Sequence, residues 1–240
     1  MKDIFTTRLR WLLWVAALAL FVAVWLYPVS DDRTRLSGLI LLPLIWLNLI
    51  GLLWKNRFLR ICLISFTGIF ALFMVLPGRA ARDVSLLRND YVAGLRRYSG
   101  VRYYWGGESP KGIDCSGLIR RGMIDALFLR GIRNADPGLV RYAIWVWWND
   151  CTAADFGSGR GLTSHCLSVA SINRLDHSRV LPGDLAVTTS GAHIMAYLGS
   201  NLWIEADPAA GKVIIEMAGS SQNGWFFSPM NIVRWDILKN

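Results

Sequence analysis

A single cysteine lies where a helix is expected to begin, in the stretch "YYWGGESPKGIDCSGLI" at residues 103–119. Asp114 is a typical N-cap residue, and "CSGLIRRGMIDALFLRG" after it predicts a helix that ends at Gly131. Cys115 would then occupy the first turn of that helix. Unpaired backbone N–H groups and the positive end of the helix dipole favour a thiolate there, and the same amides can bind an oxyanion. The stretch therefore predicts a nucleophile, whereas the alternative for a lone cysteine is a small buried apolar side chain.

A nucleophilic thiol needs a base, and the chain contains three histidines, His165, His177 and His193. His193 lies in the short apolar run "AHIMAYLG", which reads as a strand and would give the ring a rigid support. His177 lies in a loop-like segment, and His165 is followed by a cysteine in the least regular part of the chain. We expect His193 to be the base, although a lone strand histidine is also a common hydrogen-bonded core residue.

A third polar residue follows on the next predicted strand. Glu205 alternates with Ile204 in "LWIEA" and is placed to orient the far nitrogen of His193. Asp207, two residues further on the same face, is its rival. The residues alone thus predict a relay of Cys115, His193 and Glu205.

Two blocks of the sequence carry a family resemblance. The first block is the stretch around Cys115, and the second is "LPGDLAVTTSGAHIMAYLG". Together they resemble the NlpC family of cell-wall peptidases, which are papain-like cysteine hydrolases. The resemblance implies that Cys115 is the nucleophile, that His193 is the base, and that Glu205 fills a third position at which the family uses different polar residues.

The same resemblance extends to substrate and fold. It implies that Tyr103 lines the site and that Asp114 and Ser116 hold the substrate peptide. The implied substrate is the stem peptide of peptidoglycan, usually cut between D-glutamate and the diamino acid, and the relay requires no metal or organic cofactor. The implied fold is α+β, with the cysteine helix packed on an antiparallel sheet. The order of predicted elements, helix first and short strands later, independently indicates an α+β domain.

The first third of the chain is dominated by long apolar runs. Three apolar runs, at about 11–30, 36–54 and 61–78, reach the roughly 20 residues that a bilayer core requires. We expect residues 1–78 to form a membrane anchor of three transmembrane helices. We expect residues 79–240 to form the hydrolase domain, with an insertion at about 132–179.

Basic residues in the short loops indicate the orientation of this anchor. The N-terminal tail and the second connector, "KNRFLR", carry six bases, whereas the first connector, "DDRTR", carries two bases and two acids. The positive-inside rule then places the N-terminus in the cytoplasm and residues 79–240 on the outer, periplasmic face of a bacterial inner membrane. Arginines directly after the third run oppose this orientation.

The formal charge of +9 is shared between both parts and comes without a zinc-finger, basic-zipper or RNA-binding signature. Nucleic acid is therefore an unfavoured partner. A mildly basic outer domain suits an anionic wall polymer or lipid headgroups, or reflects solubility alone. The bilayer is the expected second partner.

The expected insertion carries two further features. Cys151 and Cys166 would form a disulfide in an oxidising compartment, with free thiols as the first alternative and a zinc site with His165 as the second. The tryptophans of "YAIWVWW" form a platform for sugar rings, an interfacial surface or part of the insertion's own core.

Two functional alternatives remain beside wall-peptide hydrolysis. One keeps the cysteine relay and changes the substrate to another amide or acyl group presented at the membrane. The other is a non-catalytic domain that binds wall peptides or braces a membrane complex.

Overall fold

The computed structural model of the protein describes residues 2–79, 83–160 and 162–239. The chain forms two compact units, Met1–Pro77 and Gly78–Asn240. Each unit has its own packing.

The N-terminal unit consists of three long apolar helices, α1 (Lys2–Leu26), α2 (Asp32–Leu52) and α3 (Arg57–Val75). By length and composition each can cross a membrane, over Thr7–Leu26, Asp32–Leu52 and Arg57–Val75. Each span begins about four residues before its predicted start. For α2 and α3 the reason is that polar residues of the connectors cap the helix. Asp31 Oδ1 accepts the Thr34 amide at 2.8 Å, and Asn56 Oδ1 accepts the Leu59 amide at 3.1 Å.

The C-terminal unit begins with helices and a small hairpin. Helix α4 (Val84–Arg96) is followed by the two-residue strands β1 (Glu108–Ser109) and β2 (Gly112–Ile113) and by the long helix α5 (Cys115–Arg133). Two shorter helices, α6 (Pro137–Trp148) and α7 (Ala153–Ser158), come next. Helix α5 packs against both α4 and α6.

The sequence predicts that helix α5 ends at Gly131, but the helix continues to Arg133. Gly131 serves packing instead. A Cβ atom at Gly131 would lie 2.7 Å from Val140 Cγ2 of α6, so a side chain there would separate the two helices.

The rest of the unit is one antiparallel sheet of six strands in the order β3-β8-β4-β5-β6-β7. The strands are β3 (Thr163–Val169), β4 (Leu185–Thr188), β5 (Ile194–Gly199), β6 (Leu202–Asp207), β7 (Lys212–Met217) and β8 (Met230–Trp235). This cysteine helix on an antiparallel sheet confirms the predicted α+β fold.

Alternating side chains along the strands divide the core between the two faces of the sheet. Ile194 and Ala196 belong to the larger cluster, which also contains apolar residues of α4, α5 and α6. Met195 and Tyr197 belong to a smaller cluster on the opposite face, together with Trp203. The sheet is therefore covered on both sides, and β5 and β6, both interior strands, provide a rigid base for the site.

Candidate active site

Cys115 is the first residue of α5, and Asp114 before it caps the helix. Asp114 Oδ1 accepts the Gly117 amide at 2.6 Å and the Ser116 hydroxyl at 3.1 Å, while Oδ2 accepts the Gly106 amide at 2.8 Å. Burial raises the pKa of Asp114, and these hydrogen bonds oppose the increase only in part. Asp114 thus fixes both the glycine loop and the helix turn that carries the thiol.

Two glycines allow this loop to approach the helix. A Cβ atom at Gly117 would lie 2.1 Å from the Gly107 carbonyl oxygen, and one at Gly107 would lie 2.4 Å from the Gly112 carbonyl oxygen. Neither position has room for a side chain. The spacing of the two motifs, Gly-Gly and Asp-Cys-Ser-Gly, therefore follows from backbone packing around Cys115.

His193 lies directly before β5 rather than within it. Its backbone is nevertheless fixed, because its amide donates to Thr188 Oγ1 and its carbonyl accepts the Thr188 amide, each at 3.0 Å. The imidazole contacts Glu205 through Nε2, and the neighbouring Cys115 thiol contributes to raising the imidazole pKa. Since Nε2 contacts Glu205 Oε2, Nδ1 is the nitrogen left for the thiol.

Glu205 is a buried carboxylate on β6. Ala196 pairs with Ile204, and the same register puts Met195 opposite Glu205. His193, two residues before Met195, is therefore a diagonal neighbour of Glu205. Asn223 Nδ2 donates to the second carboxylate oxygen, Oε1, at 2.9 Å. Both oxygens of Glu205 are therefore held by side chains.

Asp207, the alternative to Glu205 as the residue that orients His193, has a different role. Its two oxygens accept the backbone amides of Ala209 and Ala210, at 2.9 Å and 3.2 Å. It therefore caps the turn between β6 and β7, whereas Glu205 is the carboxylate that contacts the imidazole.

The charges of the site are strongly coupled. Burial would lower the pKa of His193, but its interactions with Cys115 and Glu205, including the charges of those groups, raise this pKa to about 9. Burial raises the pKa of Glu205, and the nearby His193 opposes that increase. At neutral pH the arrangement therefore favours an imidazolium held between the sulfur and a carboxylate.

Trp225 covers the imidazole on one side. Its ring stacks on His193 with centroids 4.4 Å apart and an angle of 13° between the planes. Asn223, which contacts Glu205, also accepts the Trp225 amide at 3.1 Å and so begins the one-turn helix Gly224–Phe227. Sequence reasoning missed both residues, since "QNGWFF" signals only a turn and nothing in it indicates a position beside His193.

Tyr103 lies at the same site. Its amide donates to the Gly211 carbonyl at 2.8 Å, and its side chain packs against the main core. Burial, followed by the charges of Cys115, Asp114 and Asp207, raises the pKa of Tyr103 to about 12. The phenol is therefore a neutral hydrogen-bond donor near the thiol.

The other two histidines are engaged elsewhere. His177 Nε2 accepts the indole N–H of Trp203 at 3.1 Å, and the ring lies against Tyr197. His165 Nε2 contacts Ser168 Oγ at 3.0 Å on β3. Neither is bonded to Cys115.

The predicted disulfide between Cys151 and Cys166 is not formed in the structure. Cys151 is buried in the main core cluster, whereas Cys166 is exposed on the edge strand β3, where its thiol contacts the Ser164 carbonyl. The two side chains are thus held in different environments. Within the described ranges, no group of three or more metal-ligating side chains comes together.

A helix-terminal cysteine beside a His–carboxylate pair, on a helix-and-sheet scaffold, defines the class of cysteine peptidases and amidases. The model of the NlpC/P60 family matches residues 100–227, which include Cys115, His193, Glu205 and Trp225. The chain therefore belongs to the NlpC/P60 family.

Solved structures similar to this chain include three from the same family. NlpC2 from Trichomonas vaginalis has 17% identity and a TM-score of 0.41, and the match covers 68% of this chain and 50% of that one. The P60 domain of an antigen of M. avium subspecies paratuberculosis has 20% identity and a TM-score of 0.40, with 65% of this chain and 98% of that one covered. The peptidoglycan hydrolase RipB of Mycobacterium tuberculosis has 20% identity and a TM-score of 0.41, with 65% and 67% covered. The match thus spans half the length of the Trichomonas protein. No curated protein matches the chain.

Proposed function

We propose that this protein is a membrane-anchored cysteine peptidase that hydrolyses amide bonds in the stem peptides of peptidoglycan. The observation that carries the proposal is the grouping of Cys115, at the start of α5, with His193 and Glu205, in which Nε2 of His193 contacts Glu205 and Cys115 contributes to raising the pKa of His193. Membership of the NlpC/P60 family over residues 100–227 supports the substrate class.

In the first half of the reaction, the Cys115 sulfur attacks the amide carbonyl carbon and the carbonyl oxygen becomes an oxyanion. In the first turn of α5, the Gly117 amide donates to Asp114 Oδ1 and the Leu118 amide to the Asp114 carbonyl. Among the hydrogen bonds of the described residues, the amides of Cys115 and Ser116 remain unused, and we assign the oxyanion to them. His193 Nδ1 then gives its proton to the leaving amine as the C–N bond breaks.

In the second half, water hydrolyses the thioester. Neutral His193 takes a proton from water, the resulting hydroxide attacks the acyl carbon, and the C–S bond breaks to restore the thiolate. Glu205 holds Nε2 throughout, so the imidazole keeps Nδ1 towards the sulfur. Asn223 and Trp225 restrict that pair from two further directions.

The substrate-binding residues implied by the resemblance take different roles in this proposal. Tyr103 donates its hydroxyl to the peptide, since its raised pKa keeps the phenol neutral. The oxygens of Asp114 are engaged by backbone amides and Ser116, so their contribution is to hold the glycine loop and the helix turn around Cys115.

We place the C-terminal unit on the outer face of the membrane, where the wall polymer lies. The loop charges favour this orientation, and three helices long enough to span a bilayer support the anchor. A reporter fused after Asn240 that is active only outside the cytoplasm tests it. Activity of a cytoplasmic reporter instead would overturn the wall substrate.

The proposed activity is tested by incubating the full-length protein in detergent micelles with purified peptidoglycan and identifying released fragments by mass spectrometry. Cys115→Ala is the matched control. New stem fragments from the wild type alone would establish the peptidase and name the bond. Equal, fragment-free binding of peptidoglycan by both proteins would instead establish a wall-binding module.

A second candidate keeps the relay and changes the substrate to an amide or acyl group carried by a membrane lipid, and the three apolar helices favour it. The two candidates separate when the same protein is offered peptidoglycan and a total lipid extract. Fragments from the lipid extract alone, absent with Cys115→Ala, would establish the second.

A further inference from the structure

We propose that the outward face of α6, together with the exposed end of α5, rests on the lipid headgroup surface of the membrane. This α5–α6 surface consists of Phe128, Ile132, Ile144, Trp145 and Trp148. The proposal concerns how the C-terminal unit is placed and is independent of the cysteine chemistry.

Helix α6 exposes apolar side chains that an ordinary surface helix would bury. Ile144, Trp145 and Trp148 are 43%, 41% and 46% exposed, and their spacing of one and three residues puts them on one side of the helix. Ala143 and Val146, on the other side of the helix, are buried. The helix therefore has an inner apolar face that belongs to the core and a second, outer one that the core does not use.

The neighbouring helix extends this surface. Phe128 and Ile132 are large exposed side chains four residues apart on α5. The two helices approach closely where Gly131 faces Val140. Contiguous exposed apolar patches of this kind mark membrane or protein contact sites rather than ordinary protein surface.

The composition of the surface favours headgroups over hydrocarbon or protein. Tryptophan prefers the interface between lipid and water, and Tyr142 stacks on Trp145 with centroids 5.4 Å apart. Arg133 is exposed beside Ile132, and Arg141, which is half-buried, precedes Trp145 by one turn. Basic residues around an apolar patch complement anionic lipids.

The chain itself limits how far this surface can be from a bilayer. Asp136, the N-cap of α6, accepts the backbone amide of Arg79 at 3.3 Å. Only Leu76, Pro77 and Gly78 separate Arg79 from the end of α3. A connection of that length reaches at most about 14 Å. Once α3 spans a membrane, the start of α6 is held within reach of the headgroup region.

Photolabelling with a lipid tests the proposal. The full-length protein is reconstituted into vesicles of phosphatidylethanolamine and phosphatidylglycerol that contain a phospholipid with a diazirine near its headgroup, and adducts are located by mass spectrometry. We expect adducts on residues 141–148 in addition to α1, α2 and α3. Cys115→Ala should give the same adducts, so the result does not depend on the proposed function.

The variant Ile144→Glu/Trp145→Glu should reduce adducts on α6 by more than about tenfold, because charged side chains leave the apolar interface. Labelling of α1, α2 and α3 in the same sample is the internal control. Phe227→Glu, on an exposed apolar residue of another helix, should leave α6 labelling unchanged. Trp148→Gln, with an unchanged thermal unfolding midpoint, provides a milder variant should the double substitution unfold the unit.

Adducts confined to α1, α2 and α3 would overturn the proposal. So would chemical cross-links between α6 of two copies in the absence of lipid adducts on α6, because a second copy would then cover the surface.

Discussion

Trp225 lies flat on the imidazole of His193, with the ring centroids 4.4 Å apart and the planes 13° from parallel. The imidazole that we propose as the catalytic base is thereby held on one side by an aromatic ring and at Nε2 by Glu205. An aromatic face also favours the charged over the neutral imidazole.

Replacement of Trp225 tests this contact. Trp225→Ala should lower kcat about fivefold, since a ring contact of this type contributes about 1 kcal/mol. It should also move the alkaline limb of the kcat/KM–pH profile to lower pH, because the imidazolium loses a stabilising neighbour. Phe227→Ala, in the same one-turn helix but exposed, is the matched control. An alkaline limb unmoved in Trp225→Ala would limit the ring to a structural role.

Glu205→Gln keeps the shape of the carboxylate and removes its charge. We expect kcat/KM to fall about 10- to 100-fold, because a hydrogen bond to a charged group contributes about 1.5–3 kcal/mol. Asp207→Asn is the comparison, since its oxygens accept backbone amides rather than the imidazole. A larger loss from Asp207→Asn than from Glu205→Gln would reverse the assignment of the third residue.

The pH dependence follows from the raised pKa of His193. Its value is about 9 in the folded protein, against an ordinary value of 6.5, so the fold favours the protonated ring. The resulting contribution to the free energy of unfolding is complete below pH 6.5 and is lost as pH rises through about 9. Urea unfolding of wild type and His193→Gln should therefore differ less at high pH than at pH 6. A difference that grows with pH would contradict the ion pair.

Gly117 should tolerate no side chain. Gly117→Ala brings a Cβ atom to 2.1 Å from the Gly107 carbonyl oxygen, so the loop or the helix turn must shift. We expect a loss of about 1–3 kcal/mol in the free energy of unfolding, together with reduced activity. Gly224→Ala, where the new atom would have nothing within 4 Å, should be close to neutral. Equal effects of the two substitutions would exclude the steric explanation.

Arg120 links the hairpin beside the site to the far end of α6. It is buried, lies 3.2 Å from Glu108 and 2.6 Å from Asp150, and donates to the carbonyls of Val146 and Trp147. Arg120→Met should cost about 3–5 kcal/mol, since Glu108 stays buried without its guanidinium. Glu108→Gln/Arg120→Met should recover part of that loss in urea unfolding.

The control for the buried Arg120–Glu108 ion pair is the more exposed ion pair of Arg160 and Asp155. Arg160→Met removes a partner of Asp155 that is largely solvated and should change the free energy of unfolding by less than about 1 kcal/mol. A comparable cost at both arginines would mean that burial does not decide the strength of these ion pairs.

Local patterns were sufficient to predict the scaffold. Apolar run length predicts α1, α2 and α3, and the N-cap Asp114 predicts the start of α5. The β4–β5–β6 meander follows from short apolar runs between turn residues. Helix ends were predicted less well, since Gly131 serves contact with α6 rather than termination.

The surroundings of the site depend on contacts between distant parts of the chain. Asn223 and Trp225 lie about 30 residues after His193, and only the folded sheet brings their side chains to it. The same holds for Arg120, which a helical periodicity would place as an ordinary charged residue. Cys151 and Cys166 show the opposite failure, since the disulfide expected for an oxidising compartment is not formed.

The measurement that addresses the central claim most directly is the alkylation rate of Cys115 by iodoacetamide in the full-length protein at pH 6.5, followed residue by residue by mass spectrometry. Cys166, which is exposed but bonded to no histidine, is the reference within the same molecule. We predict that the buried Cys115 reacts faster than Cys166 and that His193→Ala abolishes this advantage. A Cys115 that reacts more slowly than Cys166, with the same rate in His193→Ala, would show that the thiol is not activated.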